Sequence, residues 1–217
     1  MQNTKQRHIE AQKAELRVWK KSKLEFDREK VLHELGLLGI DASEVKGKLM
    51  DIGGAHGYYA SLFSNCSERI VVDPLYETLQ QHLDGITGIS CGAENIPFPS
   101  DSFDFIIVRN VIDHMLDPDK LLSEAFRVLK PGGKIYFMVN IFRFYLKPLF
   151  GLMGMLDKPH PLHFTLCDIR RLLTKKTGIR IQRERIARSG RFEWNLKRTT
   201  GRIIKMEYYA ILCLDGS

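Results

Sequence analysis

Five short apolar runs, each followed by a stretch with helical character, constrain the fold of this chain most strongly. The runs cover residues 48–52, 69–72, 86–90, 103–108 and 134–139. They are apolar nearly throughout instead of alternating, which is typical of parallel strands that are covered on both faces. Because strands that alternate with helices form a mostly parallel sheet, the sequence predicts an α/β, doubly wound, Rossmann-like fold.

The two ends of the chain differ from this pattern. The tail has strand-like segments at 180–188 and 202–214, separated by a loop with glycines, and these predict an antiparallel pair that completes a seven-stranded sheet. At the other end, residues 5–35 have apolar positions at helical spacing, which predicts an N-terminal helical extension over 1–40. Helix starts are predicted at Pro118, behind a capping Asp117, and after Thr165, which forms a capping box with Asp168.

Composition favours one globular domain over residues 1–217. The chain is 44% hydrophobic and 27% charged, and it has no apolar stretch of the length that a membrane span needs. The start lacks the apolar core of a signal peptide, so we expect a cytoplasmic protein. The four cysteines are far apart and form no CxxC pair, so we predict no zinc or iron–sulfur site.

The net charge of +7 is concentrated near the C-terminus. Residues 170–205 contain 13 Lys and Arg but only Glu184 and Glu193 as acidic residues. Such a basic segment favours an anionic partner, which can be a phosphate-bearing small molecule, a lipid surface or a nucleic acid. A solvated basic face is the simpler alternative.

The most informative stretch is the glycine-rich turn after the first strand, Asp51-Ile-Gly53-Gly54-Ala55-His-Gly57. Glycines allow the backbone to approach a ligand, and the helix that follows offers free N–H groups. Asp73 follows the second strand, 22 residues after Asp51, at the spacing at which dinucleotide-binding folds place a ribose-binding carboxylate. Together these residues predict a cofactor of the adenosine type.

Three ordered motifs resemble those of class I S-adenosylmethionine-dependent methyltransferases, of the type that acts on small molecules. The glycine turn resembles D-x-G-x-G-x-G, residues 91–104 resemble G-D-A-E-x-L-P-F-x-D-x-S-F-D, and Arg127-Val-Leu-Lys-Pro-Gly-Gly133 matches R-V-L-K-P-G-G. The resemblance is strong over residues 48–139. It implies S-adenosylmethionine as cofactor and S-adenosylhomocysteine as product.

The resemblance also implies roles for individual residues. The methionine end of the cofactor would lie against the first-strand acid and the turn, the ribose against Asp73, the adenine against the third-strand loop, and the methyl group near the end of the fourth strand. The residues implied are Asp51, Gly53, Gly54, Gly57, Asp73, Leu75, Ala93, Glu94, Arg109 and Asn110. Two positions depart from the family pattern: Ala55 replaces the middle glycine, and Gly92 replaces an aspartate that accepts a hydrogen bond from adenine.

Methyl transfer depends mainly on alignment of the reactants, and a hydroxyl acceptor can also use a base. His114 follows the fourth strand and is the candidate catalytic residue, while His160 and His163 are candidate substrate contacts. Asp113, Asp117 and Asp119 could suggest a divalent metal, but Asp117 is accounted for as a helix cap and no further metal ligand is evident. The sequence therefore predicts no metal site.

Residues 141–164 form an apolar, aromatic insert after the fifth strand, and we predict that they cover the substrate as a lid. They could instead pack on the sheet or contact a membrane surface together with the basic tail, as a peripheral protein would. The favoured function is methylation of a small-molecule or lipid-linked acceptor, with oxygen ahead of carbon or nitrogen. The alternatives are an RNA or protein methyltransferase that uses the basic segment, and a non-catalytic binding protein. The sequence does not predict the oligomeric state.

Overall fold

One mixed sheet organises the computed structural model of the protein. The structure describes residues 13, 16–17, 27–79, 83–156, 160, 162–175, 178–188 and 205–214. The strands are β1 (Gly47–Ile52), β2 (Cys66–Val72), β3 (Thr87–Ile89), β4 (Phe103–Arg109), β5 (Leu129–Phe142), β6 (Phe164–Thr165), β7 (Ile179–Arg188) and β8 (Lys205–Leu214). They are arranged in the order β3-β2-β1-β4-β5-β8-β7, and β6 pairs with the end of β5 outside this path.

The pairing confirms the predicted fold class. Strands β1 to β5 are parallel to one another. Strand β8 runs antiparallel to its two neighbours, β5 and β7. Because the parallel strands point the same way, the residues that follow β1, β2 and β4 meet at one edge of the sheet. Among the described residues, no helix is both long and apolar enough to cross a membrane.

Within the described residues, five α-helices and three 3₁₀ turns accompany the strands. The helices are α1 (Arg28–Leu37), α2 (Tyr58–Ser61), α3 (Pro118–Val128), α4 (Phe150–Leu156) and α5 (Leu166–Thr174), and the turns are Tyr76–Leu79, Ile112–His114 and Phe144–Leu149. Both predicted helix starts are confirmed. Asp117 accepts a hydrogen bond from the Lys120 N–H at 3.1 Å, and Thr165 and Asp168 form the capping box. Helix α5 ends at Thr174, and Lys175 is its C-cap residue.

Each face of the sheet packs a separate hydrophobic core. Along β4, Ile106 and Val108 point towards the core beneath α3 and α5, whereas Phe105 and Ile107 point towards the core beneath α1. Both sets of side chains are almost completely buried. Burial on both faces explains why the strands appear in the sequence as uninterrupted apolar runs.

The two predicted additions to the sheet are described in part. Of the N-terminal extension, α1 packs on the sheet through Val31 and Leu35, and most of residues 1–26 lie outside the described residues. The insert is shorter than predicted because β5 continues to Phe142 and β6 begins at Phe164. The described part of the chain between these strands contains a 3₁₀ turn and α4.

Candidate functional site

The glycine turn lies where β1 ends, and its backbone needs small residues. Gly53 and Gly57 have φ angles of +72° and +82°, in the left-handed region that favours glycine. A Cβ on Gly53 would lie 2.5 Å from the Val111 side chain, and one on Gly54 would lie 2.5 Å from the Asp51 carboxyl carbon. The turn is therefore packed tightly against the start of the β4 loop on one side and against Asp51 on the other.

Asp73 holds this turn in place from β2. Its carboxylate accepts hydrogen bonds from the backbone N–H of Ala55 at 3.0 Å and from that of Leu75 at 2.7 Å. Asp73 is buried, and Leu75 beside it is half-buried. A carboxylate can accept about four hydrogen bonds, so Asp73 can shape the turn and also bind a diol.

Asp51 is a buried acid at the centre of the site. It is 2% exposed, and its Oδ2 atom has no hydrogen-bond partner among the residues that the structure describes. Burial raises the pKa of Asp51 to about 7; the Ala60 N–H and the charge of Arg109 oppose this increase, and the charge of Asp73 adds to it. A buried carboxylate with an unsatisfied oxygen is suited to a cationic ligand, because such a ligand favours the ionised form.

Arg109 is held by a partner that the sequence did not indicate. Its guanidinium donates hydrogen bonds to both carboxylate oxygens of Glu34, at 3.0 to 3.2 Å, and lies over the Tyr59 ring at 4.4 Å. Glu34 is 2% exposed and lies on α1, in the N-terminal extension. Arg109 therefore connects that extension to the carboxyl edge of the sheet, and its role as a cofactor contact stays a prediction.

Asn110 closes the end of β4. It has a φ of +50°, and its N–H donates to the Met138 carbonyl at 2.8 Å. Its side-chain oxygen accepts a hydrogen bond from the Asn140 amide, on β5. This pair of amides places polar atoms on the predicted methyl-transfer side of the site, and Asn140 is a residue that sequence reasoning missed.

The loop after β3, which would contact adenine, is held by hydrogen bonds to residues that follow β4. Ala93 is buried, and Glu94 accepts a hydrogen bond from the Leu116 N–H at 3.3 Å. Arg127 donates to the carbonyls of Phe98 and Ile96 at 2.7 and 2.9 Å. The arginine of the R-V-L-K-P-G-G motif thus orders this loop.

Two of the candidate histidines are brought together, and the third lies among aromatic rings. The rings of His114 and His160 are 4.7 Å apart between centroids, and Asp113 Oδ1 is 3.8 Å from His114 Nε2. His163 is 5.0 Å from Phe142 and 5.7 Å from Phe150, measured between ring centroids. The insert therefore contributes aromatic groups close to a cluster of polar side chains.

Residues 50–137, which contain the turn, Asp73 and the fastened loop, match the family model described as a methyltransferase domain. This match and the methyltransferases among its relatives support a class I S-adenosylmethionine-dependent methyltransferase domain in this chain. S-adenosylmethionine is the cofactor of this family.

Sequence relatives agree with this assignment. An uncharacterized protein of Methanocaldococcus jannaschii is 32% identical over 111 residues, which are 51% of this chain and 53% of that protein. A ubiquinone/menaquinone biosynthesis C-methyltransferase, UbiE, from Vibrio vulnificus is 30% identical over 129 residues, 54% of this chain and 48% of the enzyme. The chain thus spans about half the length of these curated relatives.

Solved structures share the fold of this chain. YcgJ from Bacillus subtilis superposes with a TM-score of 0.64 at 19% identity, covering 85% of this chain and 99% of YcgJ. A phosphoethanolamine N-methyltransferase from Haemonchus contortus, in complex with phosphomonomethylethanolamine and S-adenosylhomocysteine, superposes with a TM-score of 0.61 at 18% identity, covering 88% of this chain and 53% of the enzyme. At such low sequence identities, the similarity shows a shared fold and not a shared activity.

The residues present are suited to the cofactor of this family. S-adenosylmethionine carries positive charge, and the buried Asp51 oxygen without a partner is suited to a cation. Asp73 offers carboxylate oxygens beside the turn, where ribose hydroxyls would need acceptors. A Cβ on Gly92 would have only ordinary contact, with Glu94 Oε2 at 3.5 Å, so the missing aspartate leaves open space and no steric barrier.

Proposed function

We propose that the protein transfers a methyl group from S-adenosylmethionine to an oxygen atom of a small-molecule or lipid-linked acceptor. The observation that carries this proposal is the pair of buried carboxylates, Asp51 and Asp73, on either side of the glycine turn in a methyltransferase domain. Both lie at the carboxyl edge of the parallel strands, where α/β sheets bind their ligands.

When bound, S-adenosylmethionine supplies a methyl group on a sulfonium: the C–S bond breaks, the C–O bond forms, and the electron pair stays on sulfur. Asp51 would hold the cationic end, and Asp73 would bind the ribose hydroxyls. Ala93, Glu94 and Leu75 would enclose the adenine. Since the reaction is an in-line displacement, these residues act by orienting the methyl group and excluding water.

The acceptor side combines polar and aromatic groups. The His114–His160 pair offers imidazole nitrogens, which can hydrogen-bond to a hydroxyl and help remove its proton. Phe142 and Phe150 supply an apolar surface next to His163. This combination supports an acceptor with a hydroxyl on an apolar or aromatic body.

A carbon acceptor is the second candidate. It is favoured by the similarity to UbiE, whose name gives a C-methyltransferase of ubiquinone and menaquinone biosynthesis. Both candidates use the same cofactor site and differ in the atom that receives the methyl group, so the methylated product distinguishes them.

The basic segment gives less support to an RNA acceptor. Arg170 pairs with Glu184, Lys175 pairs with Asp119, and Arg183 donates to the Leu38 carbonyl. These cations are thus engaged within the domain. Phe192 and Trp194, which could stack on bases, lie outside the described residues.

Cofactor binding can be tested by the thermal shift of the full chain. S-adenosylmethionine at 100 times its Kd should stabilise the fold by about 2.7 kcal/mol, which corresponds to an increase in Tm of about 5 to 10 °C. Asp73→Asn keeps the shape of the side chain but removes its charge, and should weaken binding at least about ten-fold. The matched control is Asp84→Asn, at an exposed position.

A normal shift in the Asp84→Asn control that is lost in Asp73→Asn would support the assigned site. No shift in the folded wild-type protein with either S-adenosylmethionine or S-adenosylhomocysteine would contradict the enzyme function and favour the non-catalytic alternative. With binding established, a radiolabelled methyl group and a panel of hydroxylated and quinone-type acceptors would identify the methylated atom.

A further inference from the structure

Three potential metal ligands from two distant parts of the chain meet beside the methyl-transfer side of the site. Asp113 and His114 lie in the 3₁₀ turn that follows β4, and His160 approaches from the segment between α4 and β6. One ligand atom from each of the three residues lies within 4.8 Å of the other two. The Leu162 N–H donates to the Asp113 carbonyl at 3.2 Å, which fastens the chain near His160 to this turn.

One carboxylate oxygen of this cluster lacks a donor. Asp113 is 4% exposed, and among the described residues its buried Oδ1 atom has no hydrogen-bond partner. In the part of the chain that the structure describes, the ion pair found for Asp113 is the contact with His114 Nε2 at 3.8 Å, which is too long for a hydrogen bond. An unsatisfied buried carboxylate oxygen is costly, and a bound cation would remove that cost.

The acidic residues nearby do not share this arrangement. Asp117 caps α3, and Asp119 pairs with Lys175, so neither is directed at the cluster. The prediction of no metal site considered the cysteines and the three aspartates Asp113, Asp117 and Asp119. It could not include His160, which is 46 residues away from His114 and reaches it only in the folded chain.

We propose that Asp113, His114 and His160 bind one divalent transition-metal ion, such as Zn²⁺ or Mn²⁺. Two imidazole nitrogens and one carboxylate oxygen are a donor set that these ions accept. Ligands around an ion with bonds of about 2.0 to 2.2 Å lie about 3.0 to 3.5 Å apart, so atoms that are now up to 4.8 Å apart need to approach by up to about 1.3 to 1.8 Å. Rotation of the half-buried His160 side chain can provide much of this movement.

Three protein ligands leave coordination positions open, as in catalytic metal sites. The acceptor oxygen would occupy one of them. With the metal bound, the imidazole nitrogens act as ligands and not as the base: the ion lowers the pKa of a bound hydroxyl, the proton passes to water, and the oxygen becomes a better nucleophile. The glycine turn is close, because Gly53 packs against Val111, two residues before Asp113. This role for the ion rests on the proposed function, whereas metal binding itself does not.

Metal binding can be measured on the full chain without an acceptor. After treatment with a chelator and dialysis, the protein is titrated with Zn²⁺ by calorimetry and with Co²⁺ by visible absorption, which reports the coordination of the ion. We expect about one equivalent to bind, with coordination bands from Co²⁺. Asp113→Asn and His160→Gln should each weaken Zn²⁺ binding at least about ten-fold.

Two histidines serve as matched controls. His33→Gln changes an exposed histidine on α1, and His163→Gln changes one that lies among aromatic rings beside the cluster. Both variants should bind Zn²⁺ like the wild-type protein. No stoichiometric binding, or binding that survives both Asp113→Asn and His160→Gln, would overturn the proposal. Substitution of the half-buried His160 should preserve folding, which the Tm of each variant checks.

The same variants separate this proposal from the proposed function. His160→Gln should keep the thermal shift with S-adenosylmethionine, because it leaves Asp51 and Asp73 intact. Loss of Zn²⁺ binding together with a normal S-adenosylmethionine shift confirms the metal site independently of the acceptor. Normal Zn²⁺ binding without any S-adenosylmethionine shift in the wild-type protein would contradict the proposed function and leave the metal site standing.

Discussion

Ala55 has a backbone conformation that L-residues rarely adopt. Its φ is +46°, and it lies between the two left-handed glycines of the turn. The left-handed region costs a residue with a Cβ roughly 1 to 2 kcal/mol compared with glycine. We therefore expect Ala55→Gly to increase the free energy of unfolding by about 1 kcal/mol and Tm by about 2 to 4 °C, measured by thermal denaturation.

Ala60→Gly is the matched control, because Ala60 is buried in α2 and has an ordinary helical conformation. That substitution should decrease stability by about 1 kcal/mol. A loss of stability in Ala55→Gly similar to that of the control would show that the turn imposes no backbone strain on Ala55.

Asp51 links cofactor binding to pH. Its pKa of about 7 lies above the ordinary 3.8 because of burial, so the folded protein prefers the neutral carboxyl below pH 7. Burial of the Asp51 carboxyl therefore does not lower the free energy of unfolding below pH 3.8. The loss of stability grows between pH 3.8 and 7 and stays at its full value above pH 7. Asp51→Asn should therefore stabilise the cofactor-free protein at pH 8, by up to about 4 kcal/mol, and have less effect at pH 5.

The same titration should affect cofactor affinity in the opposite sense. A cationic ligand needs the ionised carboxylate, so the Kd for S-adenosylmethionine should decrease as pH rises from 6 to 8. Calorimetry in buffers with different ionisation enthalpies would detect the proton released on binding. If the Kd of the Asp51→Asn variant still decreased as pH rises, another group would be responsible for the pH dependence.

At the scale of elements, a buried ion pair links α1 to β4 in addition to their apolar packing. Glu34 and Arg109 are bound through two guanidinium nitrogens, and their side chains are 3% and 19% exposed. Removal of Glu34 leaves the buried Arg109 charge without this carboxylate, and removal of Arg109 leaves Glu34 with the Lys30 amino group, 3.6 Å away, as its ion-pair partner among the described residues. Glu34→Gln and Arg109→Met should each decrease the free energy of unfolding by about 3 to 5 kcal/mol in urea denaturation.

The double variant Glu34→Gln/Arg109→Met separates the interaction between these two side chains from their other contacts. Because it leaves neither charge unpaired, it should be more stable than the sum of the two single effects predicts. Glu29→Gln, at an exposed position on the same helix, is the control and should change stability by less than about 0.5 kcal/mol. Strictly additive single effects would exclude a direct coupling between Glu34 and Arg109.

The sequence predicted the elements better than the contacts between them. Apolar runs, the capping residues Asp117 and Thr165, and the glycines of the turn are local signals, so strands, helix starts and the cofactor edge could be recognised. Glu34 resembles any other glutamate of an amphipathic helix, and its role follows only from packing against β4. His160 meets His114 for the same reason, through long-range folding that no local pattern records.

At the scale of the whole molecule, cofactor binding should change hydrogen exchange differently in the central strands and in the loops of the cofactor site. Strands β1, β4 and β5 form the centre of the sheet, and their central side chains are almost completely buried. Amides of such strands exchange with solvent mainly when the whole domain unfolds, whereas the glycine turn and the loop at 91–98 can open locally. A ligand that binds only the folded state affects both classes of amide, but in different ways.

Hydrogen exchange should therefore show two effects of S-adenosylmethionine. At 100 times the Kd, the amides of β1, β4 and β5 should all gain the same protection, about 100-fold, because each reports the global free energy of unfolding. The turn at 53–57 and the loop at 91–98 should gain protection that varies from residue to residue, since the ligand also blocks local opening there. Protection confined to the turn, with no change in the central strands, would mean that the ligand binds a partly unfolded form equally well, and would contradict a site built by the intact sheet.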